Sequence, residues 1–329
     1  RGVRSRELNA LANANWSAAR QAYFGELAER YLAVLAAKEN LRLAEAEAAA
    51  VAAALRDTRS RFEAETVPGT DLREAEARDD LSRARLLAAE QAVDDARERL
   101  EEAIGPVDAL PVLSPDVDLL RYLDGDSSAW SERALEASPR IEAARAAALV
   151  ARGEREARRS ERFPGVDLVG GVRRTDTSES ELGERSTDAR IGLEVTIPLY
   201  RGGALDSSSR QARARQRAAE ARLESSGREL NWQVRDAWRA IEIAAREVDA
   251  FAALVRSSEA AEKATSNGYN AGTRTILDLL NARSATVSAR RDLANARFTV
   301  LLSQIRLYQL TGVLTIEKLQ ELDTFLEDA

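Results

Sequence analysis

The chain has 329 residues, 44% hydrophobic and 31% charged, and its 48 basic and 55 acidic side chains leave a net charge of −7, an acidic balance that argues against nucleic acid as a partner. Cys, His and Met are all absent, which removes thiol nucleophiles, histidine bases, zinc sites and soft-metal sites together, so no cofactor is expected. No run of about 18 apolar residues could form a membrane-spanning helix, and the missing initiator Met reads as a processed chain or a piece of a longer one.

Residues 4–65 read as one helix. Leu27, Tyr31, Val34, Leu41, Ala44, Ala48, Val51 and Leu55 step by threes and fours or their multiples, a coiled-coil seam. At about 1.5 Å per residue the helix would be roughly 90 Å long. Val67-Pro68-Gly69 breaks it, and Asp71, with Glu74 three residues on, fits an N-cap for a second helix over 71–104. Gly105-Pro106 stops that helix. Residues 105–128 carry Pro106, Pro111, Pro115 and Gly125 and read as an irregular connector, with a short helix near Val117–Leu123. A third helix is expected over 129–161, ending in the basic run ARRSER (157–162), and Pro164-Gly165 ends it.

The period then changes. In Val166–Arg174, Val166, Leu168 and Val172 share a face with Gly170. Across a polar loop (175–187), Ala189, Ile191, Leu193, Val195, Ile197 and Leu199 point one way, and Arg190, Gly192, Glu194, Thr196 and Tyr200 the other. Such alternation gives a strand with one apolar face. From the strands alone, an outer-membrane barrel strand and a soluble hairpin packed on a core both stay open. Pro198 and Arg201-Gly202-Gly203 close the hairpin. A fourth helix follows over 204–267, with Leu230, Val234, Trp238, Ile241, Val248, Phe251 and Val255 in its seam. A turn at 268–272 leads to a fifth helix reaching about 310. The acidic tail, 312–329, carries a weak amphipathic helix over Ile316–Phe325.

An offset of 207 residues maps the first two helices onto the last two. Tyr31 falls on Trp238, Val34 on Ile241, Phe62 on Tyr269, Asp71 on Asp278, Leu86 on Leu293, Leu100 on Leu307 and Gly105 on Gly312. A constant offset across a turn and two seams is the mark of a duplicated architecture. By the same logic a helix and another strand hairpin are expected before residue 1. A two-stranded hairpin cannot close a barrel by itself, so further strands must come from that segment or from other subunits.

The segment GYNAGTRTILDLLNARSATVSARRDLANARFTVLLSQIRLYQLTGVL (268–314), the strand-to-helix sequence VTIPLYRGG (195–203) and RFEAETVPGTDLREAEA (61–77) resemble the TolC-type outer-membrane efflux channel family. The resemblance extends over essentially the whole chain. It implies a mostly α fold in which long antiparallel coiled-coil helices form an α-helical barrel, with a membrane β-hairpin contributing to a trimeric β-barrel. The expected parts are a first-repeat hairpin (1–104), an equatorial connector (105–128), an ascending helix (129–163), an outer-membrane hairpin (164–200), a second-repeat hairpin with the gate (201–311) and an equatorial tail (312–329). It further implies a homotrimer in the outer membrane of a Gram-negative bacterium, surrounded by outer-membrane lipid and extending into the periplasm. Its partners would be a periplasmic adaptor and an inner-membrane pump, and solute would leave passively by tripartite efflux or type I secretion.

The resemblance also assigns residues. Thr70, Asp71, Tyr269 and Arg274 match the positions that latch the family's periplasmic tip. Asp278 and Asn281 match its pore entrance, where three carboxylates about a threefold axis would favour cations. Asn281 stands where the family often has a second Asp. Read without the resemblance, Asp71 and Asp278 fit helix N-terminal capping, Asp278 through a box with Thr275. An enzyme is not expected: acidic pairs at helical spacing arise by chance in so charged a chain, and Gly170-Gly171 and Gly202-Gly203 form no phosphate loop. The competing class is a periplasmic coiled-coil adaptor or structural scaffold.

Overall fold

A computed structural model describes residues 2–107, 111–113, 119–120, 123–177, 184–323 and 326–327. The helices are α1 (Gly2–Glu63), α2 (Gly69–Ile104), α3 (Ser127–Ala137), α4 (Pro139–Ser160), α5 (Ala204–Asn270), α6 (Ile276–Thr311) and α7 (Ile316–Asp323). The strands are β1 (Val112–Leu113), β2 (Gly165–Thr177), β3 (Glu184–Thr196) and β4 (Leu326–Glu327). The 207-residue offset holds at every boundary of the two tips. Thus α1 ends at Glu63 and α5 at Asn270, α2 and α6 begin at Gly69 and Ile276, and both run 36 residues to a glycine, Gly105 or Gly312.

The expected single helix over 129–161 is two. Pro139 cannot donate an N–H, and its ring drives the preceding residue out of the helical region. Ser138 accordingly sits at φ −65°, ψ 123°, and Pro139 starts α4 in the first-turn position it favours. Asp126 caps α3 by accepting from the backbone N–H groups of Ser128 (3.1 Å) and Ala129 (2.8 Å). The short helix expected near Val117–Leu123 falls largely outside the described residues.

The chain divides into two compact units, to both of which α1 and α5 contribute. One comprises Arg1–Asn15 and Arg140–Gly227. It holds the antiparallel β2–β3 hairpin, longer than expected at 13 residues per strand. Its register pairs Val166 with Val195, Leu168 with Leu193, Gly170 with Ile191 and Val172 with Ala189. Directly opposed residues project to the same face, so these pairs build one apolar surface. No described residue of this unit covers it: Leu168, Val172, Ile191 and Leu193 are all 71–80% exposed. The opposite face carries Asp167 against Glu194, Gly171 against Arg190 and Arg173 against Asp188. Below the strands, Arg155 of α4 donates to Gln216 of α5 (3.0 Å), and Arg162 pairs with Asp206.

The other unit comprises Trp16–Pro139 and Arg228–Ala329. Leu100, Leu230, Ile276, Leu301, Ile305, Leu307 and Tyr308 are among its most deeply buried side chains. Trp130 of α3 packs on Tyr308 of α6 at 5.8 Å between ring centroids and donates its indole N–H to the Asp124 carbonyl (2.7 Å). Gln21 of α1 donates to the carbonyls of Gly312 and Leu314, fastening the end of α6. The connector and the tail meet as a two-stranded ladder, Val112 opposite Glu327 and Leu113 opposite Leu326.

Candidate functional site

Both hairpin tips end in the same backbone motif. At the second, the Gly272 N–H donates to the Tyr269 carbonyl (3.0 Å) and the Thr273 N–H to the Gly268 carbonyl (2.8 Å). This is a Schellman cap, which needs a left-handed residue after the helix, and Gly272 supplies it at φ 72°. At the first tip, 207 residues earlier, the Glu65 N–H donates to the Phe62 carbonyl and the Thr66 N–H to the Arg61 carbonyl, both at 2.9 Å. Here a glutamate takes the left-handed conformation, φ 56°, alone among the described non-glycine residues. The hydroxyls of Thr66 and Thr273 donate to the same acceptors, the carbonyls of Arg61 and Gly268.

Beyond the second cap, Thr275 and Asp278 form the expected capping box. The Asp278 N–H donates to the Thr275 hydroxyl (3.1 Å), and the Thr275 N–H donates to the Asp278 carboxylate (3.0 Å). That backbone N–H first, then the Thr275 hydroxyl, with a smaller share from Arg274, hold the Asp278 carboxyl below the usual aspartate range. Asp71 does not play the matching part. Pro68, at φ −74° and ψ 157°, stands at the N-cap without a side-chain bond, and Gly69 and Thr70 are already helical. The carboxylate of Asp71 therefore lies inside the first turn, where it still faces the positive end of the helix. Thr70 is exposed and borders an open cleft of about 570 Å³ that Phe62, Leu72, Arg73 and Glu74 also line.

Tyr269 is buried, 8% exposed, in a core drawn from four helices: Val51, Ala54 and Leu55 of α1, Ala75 of α2 and Ile276, Leu279 and Leu280 of α6. Its hydroxyl donates to Asp57 Oδ2 at 3.3 Å. The Arg61 guanidinium lies 4.7 Å from the centre of its ring and also pairs with Asp57 at 3.0 Å. Burial pushes the phenol pKa above its ordinary value, against the pull of Arg61. Within one chain, then, Asp57 and not Asp71 is the carboxylate that meets Tyr269.

Arg274 is exposed, and among the described residues its guanidinium takes part in no hydrogen bond. Its aliphatic stem folds over Gly268, where an added Cβ would come within 2.7 Å of Arg274 Cγ. Asn281 accepts from Arg78, tying α6 to α2 across the repeat. The structure thus brings Tyr269 together with Asp57 and Arg61, and Asn281 with Arg78. Thr70 donates to the neighbouring Asp71 carboxylate at 3.5 Å, and among the described residues neither meets Arg274. Asp57, Arg61 and Arg78 were not expected from the sequence. The signal for the first two was their spacing of four residues, one turn before the first tip.

A family model described as outer membrane efflux protein matches residues 4–106 and 130–313. The chain is 31% identical over 323 residues to the outer membrane protein TolC of Vibrio cholerae, covering 97% of this chain and 74% of the relative. It is 30% identical over 290 residues to the alkaline protease secretion protein AprF of Pseudomonas aeruginosa, covering 87% of this chain and 60% of the relative. In fold it is similar to the outer membrane protein VceC from Vibrio cholerae, with a TM-score of 0.80 at 18% identity, covering 94% of this chain and 74% of that one.

Proposed function

Because the chain belongs to the outer membrane efflux protein family, we propose that it is one subunit of a trimeric duct through which solute passively leaves the cell. The duct crosses the outer membrane and serves a tripartite efflux or type I secretion system. Two relatives carry names that fit the two branches of that reading, an outer membrane protein TolC and a protease secretion protein. The family and fold are those of efflux channels, which are not enzymes.

The observation that carries the membrane reading is the β2–β3 hairpin. Its apolar cross-strand pairs are solvent-exposed within their unit, and strands of 13 residues exceed the nine to eleven or so that a tilted barrel strand needs. Exposed apolar surface of this extent on a sheet calls for lipid or protein cover. Two strands cannot form a closed barrel, so each subunit contributes its strands to a shared one. The gate lies at the helical tips, where Tyr269 of the second repeat holds to Asp57 of the first and Arg274 closes against Thr70 and Asp71 of a neighbouring subunit. The Arg274 side chain is exposed, and its guanidinium makes no hydrogen bond among the described residues, so it can reach a neighbouring subunit. Asp278 faces the pore entrance with Asn281 one turn further in. A periplasmic adaptor and an inner-membrane pump dock at this end and supply the energy.

Reconstitution into planar bilayers tests the reading. Discrete, long-lived conductance steps are expected from detergent-extracted protein. A monodisperse monomer that is stable without detergent and gives no steps would favour the coiled-coil scaffold instead.

A further inference from the structure

The basic run at 157–162 has no part in the channel or its gate. It belongs to a larger excess of positive charge. Residues 152–162 and 201–222, the helical segments flanking the hairpin, hold eleven arginines against five carboxylates in a chain whose net charge is −7. Some of these arginines are neutralised: Arg158 pairs with Glu161 at 2.7 Å, Arg152 with Glu156 at 3.3 Å and Arg162 with Asp206. Arg159, Arg201 and Arg210 are exposed, and among the described residues none of their three guanidinium groups has an ion pair or hydrogen bond.

Their position is what gives the excess a meaning. Phe163, Leu199 and Tyr200, which end the hairpin, are 64%, 93% and 86% exposed. Aromatic side chains at the rim of an apolar band mark the boundary between hydrocarbon and headgroups. Arg159 lies one helical turn before Phe163, Arg201 directly follows Tyr200, and Arg210 is about 9 Å along α5 at 1.5 Å per residue. A long guanidinium side chain reaches back toward such a boundary. The other face of the hairpin, which would line a lumen, mixes signs, with Asp167 and Glu194 as well as Arg190 and Arg173. The unpaired positive charge is therefore a property of the junction rather than a continuation of the pore.

We propose that Arg159, Arg201 and Arg210 form a belt that binds the phosphodiester headgroups of anionic phospholipid where the helices leave the membrane. Guanidinium suits this task, because its planar fork binds phosphate oxygens in pairs and its charge never titrates away. Basic residues this close to a membrane surface favour anionic lipid, and the preference is screened by salt. The proposal rests on the membrane reading of the hairpin.

The test uses the whole chain in phosphatidylcholine vesicles containing phosphatidylglycerol, with spin-labelled lipid of each kind reporting which one contacts protein. The parent is expected to enrich phosphatidylglycerol several-fold at its boundary, less so in high salt. The triple substitution Arg159→Gln, Arg201→Gln and Arg210→Gln should bring the ratio to about one, while Arg→Lys at the same positions keeps most of it. Equal enrichment by parent and Gln variant overturns the proposal, as does a parent that floats with the vesicles without enrichment. A Gln variant whose enrichment is intact but whose anion selectivity changes assigns the arginines to the pore instead. Failure to float even with phosphatidylcholine alone overturns the membrane reading beneath it.

Discussion

At the scale of single residues, the second tip combines a helix cap and a candidate pore charge in one side chain. Asp278 has its carboxylate bonded to the Thr275 N–H, so it stays ionised well below neutral pH. Three such groups at a constriction attract cations. Asp278→Asn keeps an acceptor for the cap but removes the charge, and cation selectivity should fall; equal reversal potentials in a salt gradient for variant and parent would contradict the assignment. Tyr269 titrates in the other direction. Burial raises its phenol pKa above the ordinary value near 10, so the unfolded form loses its proton first as pH rises. The stability this contributes is whole below about pH 10 and declines above it. The opening free energy of the tip, from hydrogen exchange corrected for the base-catalysed intrinsic rate, should therefore fall above about pH 10, and Tyr269→Phe should abolish that fall. The capping box was legible because its two residues lie three apart. The Tyr269–Asp57 bond was not, because 212 residues separate its partners and the register of α1 on α5 decides it.

Among the elements, the duplicated hairpins offer a controlled comparison. Helix ends and starts keep one offset, and both tips close with the same cap, yet one places Glu65 where the other has Gly272. A left-handed conformation costs a residue with a Cβ roughly 1–2 kcal/mol. After the entropy that glycine loses on folding, Glu65→Gly should stabilise the first tip by about 0.5–1 kcal/mol, and Gly272→Ala should destabilise the second by a similar amount. Local opening free energies from hydrogen exchange measure both, and unchanged protection in each variant would mean the caps do not set tip stability. The long helices, both tip turns and the alternating hairpin could be read from the sequence because each rests on a local period. The break at Ser138-Pro139 was also written there, in a proline whose effect on the residue before it is local. The ladder between β1 and β4 was not, since two-residue strands have no period to read and 213 and 215 residues separate the paired positions in the chain.

On the scale of the whole molecule, one chain supplies half of each contact that a closed duct would need. The hairpin offers an apolar face that no described residue of its own unit covers. The tip presents an exposed guanidinium at Arg274 and exposed or half-buried acceptors at Thr70 and Asp71. The proposed assembly into a ring of identical subunits would satisfy both, since such rings are built from unlike surface patches that repeat around an axis. In the proposed closed state Tyr269 holds α5 to α1 within a chain through Asp57, and Arg274 holds one chain to the next. These charge-assisted bonds contribute about 1.5–3 kcal/mol each, enough to keep a tip shut and weak enough to exchange for water. Single-channel conductance of Tyr269→Phe combined with Arg274→Ser in planar bilayers tests this most directly. The account predicts a severalfold larger conductance than the parent channel; a conductance unchanged from the parent would contradict a gate latched by these residues.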